Sequence, residues 1–365
     1  MVKNYFFNGN TKVVDGVTLK QIECEEYGVG GWIESESNLA QEGACWVYDD
    51  AMVYGNAVVS DSAEISGNAM VYGDAKVFCS AVIYDNAKVY CNAKVYGGAM
   101  VCDNAQVRSN ATVHGCSFVC GNAMVGYYAN VFGHANIFGN AKVGGNSQVY
   151  DYTRVYGDAK VYDYAVVYDN AEVYDNAYIL GKAKIYGDAK VYGDAQVDIN
   201  AKVYDNAKVY ENARLYGSAK VAGCARVYGD AQVYGDAQVY GSVKVAGSAK
   251  VYGDAIVTGY AQVYENAQVS GNAMVYGDAK VYKNAQVYGE AQVYGNAKVY
   301  GKAKVYGNAK VYKNSKVLGN AEVYDDARVF GNAKLCRNQK VYDGYVAYDS
   351  EKLGGRTVIT YFYDE

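Results

Sequence analysis

An aliphatic residue recurs at every sixth position from Val47 to Val341, without an insertion or a deletion. All 50 of these positions hold Val, Ile or Leu, and the residue four further on is almost always Ala. Along a strand, side chains alternate, so Ala-Lys-Val-Tyr places Ala and Val on one side and Lys and Tyr on the other. The next two residues, commonly Gly-Asp or Gly-Asn, favour a tight corner. Each hexad therefore predicts a short strand followed by a corner.

Lone strands this short cannot bury a face, but stacked coils give each strand neighbours above and below. The apolar residues recur at intervals of six and two residues, which do not match the 3.6-residue period of an α-helix. The hexad resembles the repeat of the left-handed parallel β-helix, in which three hexads form a triangular coil, and the left hand is implied by this resemblance alone. The sequence thus predicts an all-β solenoid of about 16–17 coils, a rod of roughly 80 Å at strand spacing.

Both ends of the sequence depart from the period. We expect residues 1–42 to form an N-terminal β cap, residues 43–341 the hexapeptide-repeat β-helix, and residues 342–365 a C-terminal strand or cap. Caps are expected because an open terminal coil presents unpaired backbone N–H and C=O groups. Trp32 and Trp46 are predicted to be structural residues of the N-terminal cap.

The junction at residues 30–51 resembles the start of the YdcK-like hexapeptide-repeat proteins of bacteria and phages. The residues that carry the resemblance are Gly30, Gly31, Trp32, Asn38, Leu39, Gly43, Cys45, Trp46, Tyr48, Asp49 and Ala51. Proteins of this family are often named as transferases, and the wider superfamily includes trimeric acyltransferases that use a His near a cleft between subunits. The resemblance implies a fold and a superfamily rather than a particular reaction.

Charge and composition exclude some function classes. The net charge is −5 and Lys alternates with Asp, which does not favour nucleic-acid binding. No apolar run reaches the roughly 20 residues of a membrane helix, and the first residues lack the apolar core of a signal peptide, so we expect no membrane partner and a cytoplasmic location, with a surface or virion location left open. The nine irregularly spaced cysteines indicate reduced thiols, and no cofactor is predicted.

The outward position after each aliphatic residue holds Tyr in 30 of 50 hexads. Residues eighteen apart are expected to stack in line, because they occupy the same place in successive coils. Such rings could support the rod itself, or form a surface that binds another rod, a glycan or a protein. Candidate binding residues are Tyr156, Tyr174, Tyr192, Tyr210, Tyr228, Tyr282 and Tyr300.

Eight consecutive outward positions, from 102 to 144, lack Tyr. We call this region the irregular belt; its candidate residues are Cys102, Arg108, His114, Cys120, Phe132, His134 and Phe138. Cys102, His114, Cys116 and Cys120 have ligand types that suit zinc, but their spacing matches no zinc motif, so no metal site is predicted. Neither His is accompanied by a Ser, Asp or Glu constellation, so no catalytic residue is predicted.

The sequence favours a non-enzymatic structural or interaction rod. Its columns of stacked tyrosines, or Tyr ladders, are expected to support lateral assembly or partner binding. Its expected partners are further copies of itself, a glycan or a protein. The alternatives are a hexapeptide acyltransferase-like enzyme, a carbohydrate-binding or phage or surface fibre component, and an ice-binding surface. The last is disfavoured because the chain has only seven Thr residues.

The inward and outward assignment can be tested by two substitutions. Ala195→Leu should overpack the core and lower the free energy of unfolding by about 1–3 kcal/mol. Lys190→Gln, on the outer face, should cost under ~0.5 kcal/mol. Chemical denaturation measures both, and equal losses would contradict the assignment.

Overall fold

A computed structural model describes residues 5–343, together with the backbone of residues 345–353 and 356–363. The chain divides into two compact units, Met1–Lys182 and Ala183–Glu365. Among the described residues the fold is all-β, apart from one 3-10 helix at Glu36–Asn38. Along the chain the hexads form about 17 coils of a parallel β-solenoid, which confirms the predicted fold class. The left hand and the predicted domain boundaries stay predictions.

The first unit begins with three antiparallel strands: β1 (Phe6–Val14), β2 (Val17–Cys24) and β3 (Gly28–Ile33). β3 also pairs in parallel with the repeat strand Met52–Val53, and Trp32 lies opposite Met52. This strand therefore joins the antiparallel sheet to the first coils of the solenoid.

In the first unit, every hexad from Trp46–Val47 to Tyr178–Ile179 contributes a two-residue strand, made of the aliphatic residue and the residue before it. From Trp46–Val47 to Lys160–Val161, each strand pairs in parallel with the strand eighteen residues later, as Val82 does with Met100. Three hexads complete a coil, so their strands lie in three sheets, one for each face. The aliphatic side chains of the repeat point inward and are at most 2% exposed, which confirms their predicted core position.

The second unit repeats this arrangement from Lys184–Ile185 to Lys340–Val341, with the same step of eighteen, as in the pair Lys190 and Lys208. Its strands are longer at Lys280–Lys283, Lys298–Gly301, Lys316–Gly319 and Arg328–Phe330. The strand Tyr345–Leu353 then pairs in parallel with Arg328–Phe330 and antiparallel with Arg356–Tyr363. Ala195 in this unit is fully buried.

The corners continue the hydrogen bonding of the strands. At the second corner residue, the backbone N–H donates to a carbonyl in the next coil, as from Asn122 to Gly139 at 2.7 Å. The first corner residue has positive φ and is commonly Gly or Asp. At several corners where it is Asp, the carboxylate accepts the N–H of the corner one coil later, as Asp49 does from Gly67 at 3.0 Å. Asp at a corner therefore satisfies a backbone donor of its neighbouring coil.

Gly145 tests how closely successive corners approach. Its φ is +67°, and an added Cβ would lie 2.5 Å from the backbone nitrogen of Asp163. We expect Gly145→Ala to lower the free energy of unfolding by about 1–3 kcal/mol, because both the backbone strain and the contact are unfavourable. The matched control is Gly98→Ala, whose Cβ would lie 3.5 Å from the carbonyl oxygen of Gly115. Chemical denaturation should show little change for this control; equal losses would contradict the close approach.

Candidate functional site

The tyrosines of one face stack as the eighteen-residue spacing predicts. In the first unit the ring centroids of Tyr156 and Tyr174 are 4.9 Å apart, and Phe138 stacks on Tyr156 at 4.7 Å. We call such a column of rings at outward positions a ladder. In the second unit the ladder pairs on this face are Tyr192 with Tyr210, Tyr210 with Tyr228, Tyr264 with Tyr282, and Tyr282 with Tyr300, at 4.8–5.0 Å.

The ladder rings are half-buried between their neighbours. Burial, followed by the charges that ionised Tyr264 and Tyr300 would carry, raises the pKa of Tyr282 to about 12. Burial also raises the pKa of Tyr156, and Glu172 beside it adds to this effect. At neutral pH these phenols are therefore uncharged. Each ladder offers a continuous apolar edge with hydroxyl groups along it, while the binding role of these residues stays a prediction.

The histidines of the irregular belt are built into ring stacks. His114 lies between Tyr96 and Phe132, with centroid distances of 4.7 and 5.1 Å. Burial lowers the pKa of His114, and the side chain of Asn130 beside it opposes this shift. His134 is exposed and stacks on Tyr152 at 4.9 Å. The stacking fixes both imidazole rings within surface columns.

A groove of about 270 Å³ lies where two successive ladder positions are glycines. Arg108 extends over Gly126, since an added Cβ there would lie 3.4 Å from its Cγ. The ring of Tyr162 lies over Gly144 in the same way, since a Cβ added at Gly144 would lie 2.6 Å from Cε1 of Tyr162. The groove is lined by Arg108, Met124, Gly126, Tyr127, Lys142, Val143 and Tyr162. The sequence analysis missed Lys142, Tyr127 and Tyr162, although Gly126 and Gly144 lie eighteen residues apart and signal the gap.

Cys102 and Cys120 follow two paired strands and lie in one column. Their sulfur atoms and a carboxylate oxygen of Asp103 lie within 4.8 Å of one another. Burial, followed by the charge that Cys102 would carry, raises the pKa of the Cys120 thiol to about 11. The sequence analysis missed Asp103, for which its position beside Cys102 was the available signal. His114 is in a ladder on another face, so the structure does not bring it to these thiols.

Both cap tryptophans contact the N-terminal strands. Trp46 is fully buried and stacks on Tyr27 at 5.4 Å. Gly30 packs closely against it, since an added Cβ would lie 2.7 Å from Cζ2 of Trp46. Trp32 is partly exposed, and the ammonium of Lys12 lies 4.4 Å from its ring centroid. Both tryptophans therefore pack against residues of the N-terminal segment, while their structural role in a cap stays a prediction.

Comparison with known proteins identifies the repeat. A profile described as the YdcK Beta solenoid repeat matches residues 47–61, 225–241, 249–265, 267–283 and 291–307. A 39-residue stretch is 54% identical to the protein named "Uncharacterized acetyltransferase YdcK" from Escherichia coli strain K12. This stretch spans 10% of the present chain and 12% of that relative's length.

A solved structure from Desulfovibrio desulfuricans G20, named as a "putative acetyltransferase", aligns with 87% of this chain and 70% of its own, at 9% identity and a TM-score of 0.16.

Nowhere in the described part of the chain does a helix reach the length and apolarity that crossing a bilayer requires.

Ring stacking within a ladder can be measured at Tyr210, which stacks on a Tyr on each side. Tyr210→Ala should lower the free energy of unfolding by about 1–3 kcal/mol, because it removes two ring pairs and buried area. Tyr260→Ala removes a ring that is 66% exposed at a corner and should cost under ~0.5 kcal/mol. Equal losses in chemical denaturation would show that stacking contributes nothing beyond the loss of a ring.

Proposed function

The chain is a YdcK-like β-solenoid repeat protein, and we propose that it is a non-enzymatic scaffold whose Tyr ladders bind further copies of the same chain side by side. The observation that carries this proposal is the continuity of the ladders. In the second unit, Tyr264, Tyr282 and Tyr300 stack without a gap, and so do Tyr276, Tyr294 and Tyr312 on another face. The same kind of surface is therefore offered on more than one face.

The chemistry of these surfaces supports association. Tyr is enriched at protein interfaces because its ring is apolar and its hydroxyl group still forms hydrogen bonds. A ring held between two others has already lost rotational freedom, so docking against it costs less entropy. Lys side chains next to the ladders, such as Lys280 and Lys298, are partly exposed, and acidic residues lie at the corners, such as Asp278. Two copies could therefore pair opposite charges beside their ladders.

Two other functions draw support from single observations. The name of the Escherichia coli relative favours an acyltransferase-like enzyme. The groove with Arg108, Lys142 and Tyr127 favours binding of a glycan, since it combines charged donors with aromatic rings. The experiment described next distinguishes both of these functions from lateral assembly.

The test is the solution mass of the full chain, measured by light scattering over a concentration series. We expect the mass to rise above the 39.5 kDa of one chain as concentration increases. A triple variant, Tyr264→Lys, Tyr282→Lys and Tyr300→Lys, should associate at least tenfold more weakly, because it places cations on the ladder. The matched control carries Phe at the same three positions and should associate like the native chain.

Circular dichroism checks that both triple variants keep the β-fold. A monomer mass at every concentration would overturn lateral assembly. A discrete trimer with acetyl-CoA turnover would favour the enzyme, and monomers retained on a glycan resin would favour carbohydrate binding.

A further inference from the structure

Two thiols replace two rings in a ladder of the first unit. Reading along one column at steps of eighteen, the outward residues are Tyr84, Cys102, Cys120 and Phe138. The strands before the two cysteines are paired in register, with Val101 opposite Val119. Cys102 is only 3% exposed and Cys120 is half-buried. The thiols are thus held side by side on a rigid backbone.

Asp103 completes the cluster from the adjoining corner. Its Oδ2 accepts the backbone N–H of Gly121 at 2.9 Å, which directs the carboxylate toward the coil of Cys120. One atom from each of Cys102, Asp103 and Cys120 can be chosen so that all three lie within 4.8 Å. Asp103 is exposed, so the cluster is open to solvent on this side.

These groups form a donor set that suits a soft divalent cation. Zn²⁺ binds thiolate at about 2.3 Å and carboxylate oxygen at about 2.0–2.2 Å in a tetrahedral arrangement. Ligand atoms of such a site lie roughly 3.5 Å apart. Side-chain rotations that move the sulfur and oxygen atoms by about 1 Å would therefore close the cluster around the ion. Thiolates select Zn²⁺ over Mg²⁺ and Ca²⁺, which prefer oxygen ligands.

We propose that Cys102, Cys120 and Asp103 bind one thiophilic divalent cation, Zn²⁺ being the physiological one, with water as the fourth ligand. Binding releases one proton from each thiol as the two metal–sulfur bonds form. Tyr84 precedes Cys102 by eighteen residues in the same column, and its hydroxyl group lies near the Cys102 thiol. The ion would join two successive coils within the irregular belt. This site is independent of the lateral assembly proposed above, since it lies outside the continuous ladders of the second unit.

The test uses the full chain in a reducing buffer, with Zn²⁺ titrated in competition with a chromophoric chelator. We expect one tight site per native chain. Cys102→Ser and Cys120→Ser should each weaken it by at least 100-fold, and Asp103→Asn by about 10-fold. The matched controls are Cys79→Ser and Cys224→Ser, which change exposed thiols outside the cluster and should retain native affinity.

Titration with Cd²⁺ gives a second readout, because each metal–thiolate bond adds ultraviolet charge-transfer absorption. The native chain should show about twice the absorption of either cluster Cys→Ser variant, and circular dichroism verifies that the variants are folded. The proposal is overturned if the native chain fails to bind under reducing conditions. It is also overturned if the cluster variants bind as tightly as the controls, since the ion would then lie on other cysteines.

Discussion

The parallel register of eighteen residues is the constraint on which the rest of the structure depends. Within each unit, the residue before the aliphatic position donates its backbone N–H to a carbonyl seventeen residues later, as Met52 does to Ala69 at 2.9 Å and Lys250 to Ala267 at 2.9 Å. Because side chains alternate along a strand, a slip of one residue would turn the inward Val and Ala to solvent and the outward Tyr and Lys into the core. This is the physical reason why the period runs from residue 47 to residue 341 without an insertion.

The same register places equivalent outward side chains of successive coils in columns. Neighbouring coils are separated by the spacing of β-strands, and the ladder rings accordingly stack 4.7–5.3 Å apart. The corners behave alike: Asn104, Asn122 and Asn140 form a line of side-chain amide hydrogen bonds. The same type of side chain, aromatic or amide, is therefore repeated from coil to coil along a face. The surface differs where a column changes, as at the two glycines beneath Arg108 and at the two thiols.

Periodicity was sufficient to predict the strands, the corners, the inward Val and Ala, and the stacked tyrosines, since all of these follow from backbone spacing. Two features were not predicted, because they depend on how far side chains reach. Arg108 extends over Gly126 in the next coil, and Asp103 turns toward the coil of Cys120. Each depends on a side-chain rotamer, which a period does not specify.

The corners carry the backbone hydrogen bonding of the strands from one coil to the next. Corner N–H groups such as those of Asn122 and Asn266 donate to the following coil at 2.7 and 2.8 Å, so hydrogen–deuterium exchange of the backbone amides measures this continuity. We expect these corner amides to exchange as slowly as those of the neighbouring strands. Rapid exchange at the corners, with protection confined to the two-residue strands, would show that the corners do not take part in the hydrogen bonding between coils.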